Sequence, residues 1–110
     1  EDDAKLLLGT GDDLQIYHDG SNSYIKDVGT GILQINTNYF QVKNADDDEF
    51  IIQASQNGAV SLRFDNSEKF ATTGGGISVT GVCTATSFSG DGANLTNVPT
   101  GFSPINFVLS

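Results

Sequence analysis

A chain of 110 residues with 14 acidic against 5 basic side chains, for a formal charge of −9, is sized for one domain and too poor in cations to neutralise nucleic-acid phosphates. The same charge excludes docking on anionic lipid, and no apolar run is long enough to cross a membrane as a helix. Charged residues make up 17% of the chain, below the ~25% usual for soluble domains, and glycine, serine, threonine, asparagine and aspartate, which form turns better than helices, take their place.

In chain order, the start "EDDAKLLLG" is acidic and unlike a signal peptide, so the chain is expected either to bypass the general export pathway or to have lost its leader. Short alternating runs then predict strands near 5–8, 13–18, 23–27, 32–36, 39–43, 49–54, 59–64, 68–72, 76–80 and 83–88. Turn signals separate them. "HDGSN" and "FDNSE" read as hairpin corners, with Gly20 and Asn66 suited to positive φ, and "VGTG" and "TGGG" read as the next corners. No stretch carries an apolar period of helical kind, so the fold class is all-β. The single Cys83 has no intrachain disulfide partner and is expected as a small half-buried residue in a strand.

The chain also resembles itself. At an offset of 46, Leu6 falls on Ile52, Leu8 on Ala54, Leu14 on Val60, Ile16 on Leu62, His18 on Phe64, Asp19 on Asp65, Ser21 on Ser67 and Tyr24 on Phe70. Further along the offset shrinks to 44, where Gly31 meets Gly75, Leu33 meets Ile77 and Ile35 meets Val79. A slip of two residues preserves which side chains share a face of a strand. The expected organisation is a first β repeat over 1–46, a second over 47–88, and a "SGDGANLT" loop segment with a C-terminal strand or tail over 89–110.

Few residues invite chemistry. His18, Asp19 and Gly20 could suggest a catalytic or metal-binding cluster, but His18 occupies the place of Phe64 in the other copy. It therefore reads as a packed residue at a strand end, and Asp19 as a turn residue bonding its own backbone. "ADDDEF" at 45–50 lacks the spaced ligands of a calcium loop, and "SGDGANLT" at 89–96 is one copy of a motif that binds calcium in tandem arrays. No nucleophile–base pair and no G-x-S-x-G elbow occurs. No enzymatic activity, metal or cofactor is expected. Tyr17 and Tyr39 are candidate platforms for stacking a saccharide, because each offers area with a polar tip.

Two long stretches carry a resemblance: "DLQIYHDGSNSYIKDVGTGILQINTN" and "LRFDNSEKFATTGGGISVTGVCTATSFSGDGANLTNV". In combination they resemble repeats of the tail-fibre proteins of marine bacteriophages, especially those of cyanobacteria, over about residues 5–98. The resemblance implies an elongated, intertwined homotrimeric β fibre, a β-helix-like or β-prism-like shaft, located on the virion and concerned with host attachment. It carries over no catalytic residue. Its partners would be two further copies, other virion proteins and a host-surface glycan. Some such fibres end in a chaperone domain that cleaves itself off after a serine, which makes Ser110 a candidate processed end.

Trimerisation is expected on physical grounds as well. The chain has no Trp or Met and few aromatics, and stacked units that cannot bury their faces alone bury them against copies. Leu14, Ile16, His18, Val60, Leu62 and Phe64 are the expected trimer core, with Arg63 on the opposite, solvent-facing side. Two other functions fit less of the sequence. One is an extracellular β filament or adhesin subunit of a cell that polymerises through its terminal "INFVLS"; the other is a carbohydrate-cleaving tailspike.

Overall fold

The computed structural model describes residues 1–98. Eight strands form two antiparallel meanders and there is no helix among the described residues. β1 (Lys5–Leu8), β2 (Leu14–His18) and β3 (Ser23–Asp27) make a three-stranded sheet. β4 (Tyr39–Lys43), β5 (Phe50–Ser55), β6 (Val60–Phe64), β7 (Ser67–Thr73) and β8 (Gly76–Val79) make a five-stranded one. The sheets divide the chain between Asp27 and Tyr39, because β4 pairs forward with β5.

Turn chemistry dictates this order. All seven described non-glycine residues with positive φ are aspartate or asparagine, the side chains that tolerate the left-handed region best. Gly20 takes φ +96 and Asn66 φ +64, as their places in the two corners predict. The corners nevertheless differ in length. His18 pairs with Ser23 across four loop residues, whereas Phe64 pairs with Ser67 across two, Asp65 and Asn66, both left-handed as a type I′ hairpin requires.

The first two strands of each set share one register. Leu6, Leu7 and Leu8 face Ile16, Gln15 and Leu14, and at an offset of 46 Ile52, Gln53 and Ala54 face Leu62, Ser61 and Val60. The shorter second corner then removes two residues, and a bulge in β7 at Lys69 restores one. As a result Ile25, not Tyr24, lies opposite Ile16 as Phe70 lies opposite Leu62. The match of Tyr24 with Phe70 expected from the sequence is corrected on this point.

Two expected strands do not form. Residues 32–36 and 83–88 lie outside any ladder although both alternate. Pattern creates a strand only where a neighbouring edge accepts its hydrogen bonds, and no described edge does so here. Cys83 is accordingly exposed rather than half-buried.

Each sheet separates an apolar from a polar face. In the first, Leu6, Leu8, Leu14, Ile16 and Ile25 share one side, and Lys5, Tyr17 and Tyr24 share the other. In the second, Phe40, Ile52, Leu62, Phe70 and Val79 line one side, and Tyr39, Gln53, Ser61 and Arg63 line the other. No described strand packs over the apolar sides: Phe40, Ile52 and Phe70 are half-buried, Ile25 is 65% and Phe64 73% exposed, and Ala71 is the one fully buried apolar residue among those described. No strand of one sheet packs on a strand of the other. The radius of gyration is 21.9 Å, against about 13 Å for a compact domain of this length. The molecule extends 72 × 35 × 30 Å.

The type I′ corner generates a stability prediction. Asn66 holds φ +64 and its Oδ1 accepts the Phe50 amide at 3.0 Å. Asn66→Ala is expected to lose that bond and to add about 1 kcal/mol of left-handed strain. Asn66→Gly loses only the bond. In urea denaturation the alanine variant should therefore have the lower midpoint; equal midpoints would show that the corner carries no strain.

Candidate functional site

The most organised side-chain cluster surrounds the first hairpin corner. Asp19 Oδ1 accepts the amides of Ser21 (2.9 Å) and Asn22 (2.8 Å), and its Oδ2 accepts the Tyr24 hydroxyl at 2.8 Å. The Asp19 amide in turn donates to the Asn22 carbonyl at 3.0 Å. Donors from Asn22, Ser21 and Tyr24, in that order, stabilise the charged carboxylate and lower its pKa from 3.8 to about 2. His18 Nδ1 lies 2.9 Å from Ser23 Oγ, its cross-strand partner. Asp19 does not orient the His18 imidazole, since both of its oxygens accept hydrogen bonds from Ser21, Asn22 and Tyr24. The Asx-type reading of Asp19 holds.

Tyr17 is half-buried on the polar side of the three-stranded sheet. Its ring stacks on Tyr24 with centroids 4.7 Å apart and planes 19° apart. Lys5, on the other neighbouring strand, places Nζ 4.5 Å from the same ring centroid. The ring therefore already has a partner on each flank, which constrains a stacking role.

Tyr39 stands on the other sheet. Its hydroxyl accepts Gln53 Nε2 at 2.6 Å, and Gln53 Oε1 accepts Arg63 Nε at 2.8 Å. Hydrogen bonds from Gln53 first and Gln41 second move the Tyr39 phenol below its ordinary pKa of 10.0. Arg63 also donates through Nη1 to the Asn66 carbonyl at 3.3 Å, and its guanidinium carbon lies 5.8 Å from the Phe50 ring. Beside this row Ser61 Oγ, in a buried residue, donates to Glu68 at 2.9 Å. Arg63 was expected as plain surface and is instead half-buried and bonded across two strands. The signal for the row was present in the sequence, because Tyr39, Gln41, Gln53 and Arg63 fall on one face by strand alternation once the pairing is known. The two tyrosines belong to different sheets and do not converge.

The acidic turn after β4 organises itself around Asn44. Its Oδ1 accepts the amides of Asp48 (3.1 Å) and Glu49 (2.9 Å), and its Nδ2 donates to Asp48 Oδ1 at 2.6 Å. Lys43 Nζ pairs with Asp47 Oδ1 at 2.9 Å. In "SGDGANLT", Asp91 Oδ1 accepts the Ala93 amide at 2.8 Å. These aspartates close turns, as Asp19 does.

Leu14, Ile16 and His18 share one face of β2, and Val60, Leu62 and Phe64 share one face of β6. The terminal "INFVLS" and Ser110 lie outside the described residues. Compared with protein-family models, curated proteins and solved structures, the chain matches none.

The Asp19 corner generates a pH prediction. Its carboxyl titrates lower folded than unfolded, so its contribution to stability is complete above pH 3.8 and is lost as pH falls through about 2. Side-chain carboxyl NMR titration should place Asp19 near 2, and Tyr24→Phe should raise it while the two amides keep it below 3.8. A Tyr24→Phe titration identical to wild type would remove the hydroxyl from the account.

Proposed function

We propose that the chain is a structural segment of a bacteriophage tail fibre or related virion appendage. In this reading it assembles as an elongated homotrimer, positions or mediates host-surface attachment, and catalyses nothing. The observation that carries the reading is the pair of uncovered apolar faces. Among the described residues only Ala71 is a fully buried apolar residue, and Leu14, Phe40, Ile52 and Phe70 are half-buried, so the burial they supply is small against the entropy of ordering.

Copies of the same chain supply the missing cover most economically, because each brings an identical apolar face. Leu14, Ile16, His18, Val60, Leu62 and Phe64 are the proposed inner rows. The shared register of β1–β2 and β5–β6 supports a shaft built of repeats, and the length of 72 Å supports an elongated particle. The sequence resemblance to phage tail-fibre repeats supplies the virion setting. Three chains carry three times −9, or −27, which keeps rods apart in solution. Host glycan would meet the polar faces, where Tyr39 and the Gln53–Arg63 row stand.

One observation favours the reading as an extracellular filament subunit of a cell: β1 and β8 leave sheet edges unpaired, and open edges recruit strands. Immunogold labelling with an antibody against this chain separates the two. Decoration of virion appendages is expected; decoration of uninfected cell surfaces favours the filament.

Assembly itself is tested by charge placement. Leu62→Asp puts three carboxylates among apolar side chains, at roughly 2–5 kcal/mol for each chain, and is expected to abolish the trimer. The half-buried Arg63 is a poor control, so the exposed Lys26 on the polar face of β3 serves instead. Lys26→Glu should sediment as wild type, since exposed substitutions usually fall within about ±0.5 kcal/mol. If wild-type protein sediments as a folded monomer, the trimer reading fails.

A further inference from the structure

The five-stranded sheet exceeds the three-stranded one by a strand at each edge, β4 and β8. β1 and β5 occupy equivalent places: Leu6, Leu7 and Leu8 meet β2 in the register in which Ile52, Gln53 and Ala54 meet β6. The outer edge of β5 is closed by β4, with Phe40 opposite Ala54, Gln41 opposite Gln53 and Val42 opposite Ile52. No described strand pairs with the outer edge of β1. Beyond β8, residues 82–88, "VCTATSF", alternate and are rich in β-branched side chains, yet make no hydrogen bond to any described residue. Val82 is 89% and Phe88 76% exposed.

We infer that residues 85–88 of one copy pair with the outer edge of β1 in a second copy, as β4 pairs with β5. The offset of 46 that relates β1 to β5 also relates Ala85, Thr86, Ser87 and Phe88 to Tyr39, Phe40, Gln41 and Val42. In that register Thr86 faces Leu8, Ser87 faces Leu7 and Phe88 faces Leu6. Phe88 then joins the apolar row of Leu6, Ile16 and Ile25, and the added strand stops before Gly90, whose φ of +149 breaks an extended run, as β4 stops at Lys43, before Asn44. A one-residue slip would send Phe88 to the side of Lys5 and Tyr17 and is disfavoured. The contact uses different surfaces on the two copies, so repetition closes a ring, as a trimer requires, where the rotation between copies allows it and otherwise continues as a row. It rests on the self-association proposed above and is indifferent to whether the assembly belongs to a virion or a cell.

Disulfide trapping tests it. In full-length chains carrying Cys83→Ser, one population bears Leu7→Cys and an isotopically labelled one bears Ser87→Cys. Residues directly opposite in an antiparallel pair lie within disulfide reach. After mixing, refolding together and mild oxidation, mass spectrometry is expected to find a labelled–unlabelled peptide joining positions 7 and 87. The control Leu7→Cys with Thr86→Cys, which projects to the opposite face, should link at least tenfold less. Assemblies that sediment as oligomers without the 7–87 link overturn the strand addition and leave self-association standing. Equal linking of 86 and 87 overturns the register. Protein that sediments only as monomer overturns both.

Discussion

The structure depends on apolar rows that the described residues leave largely uncovered. Strand alternation gives each meander one apolar and one polar face, and a single layer has nothing to lay the apolar face against. Ordering a residue costs roughly 1–2 kcal/mol in backbone entropy alone, and one fully buried alanine with a few half-buried neighbours among the described residues offsets little of it. Extended shape, thin layers and unpaired edges are consequences of the same arrangement, since a chain that folded back on itself would cover its faces and shorten. The proposal of a trimeric fibre follows from asking what surface could match those rows.

The polar faces do complementary work. Gln53 links Tyr39 on β4 to Arg63 on β6, so three strands are tied by side chains as well as by their ladders. Ser61 and Glu68 tie β6 to β7 in the same way. On the smaller sheet, Lys5, Tyr17 and Tyr24 make an equivalent row of ring and cation contacts across β1, β2 and β3. Side chains on the polar side thus help to specify the register of both sheets within one chain.

The aspartates and asparagines share one role. Asp19, Asn44 and Asp91 each accept nearby backbone amides, and Asp12, Asp47, Asp65 and Asn66 take left-handed φ. Acidity that might suggest a metal site is, at these residues, the means by which short strands reverse direction. The accompanying charge of −9 favours mutual repulsion between copies in solution.

The sequence by itself determined the all-β class, eight of its strands, the positive-φ corners at Gly20 and Asn66, and the turn role of Asp19. Each of these depends on interactions within a few residues or on a period of two. The tertiary structure decided what depends on partners distant in sequence. Residues 32–36 and 83–88 alternate like strands and form none, because pairing requires an accepting edge. The second corner, two residues shorter and only half offset by the bulge at Lys69, placed Phe70 opposite Leu62 and so undid its match with Tyr24, because register is set by loop length and bulges and not by pattern alone. Arg63 became a cross-strand donor rather than plain surface, because only the pairing of β5 with β6 brings Gln53 within reach of it.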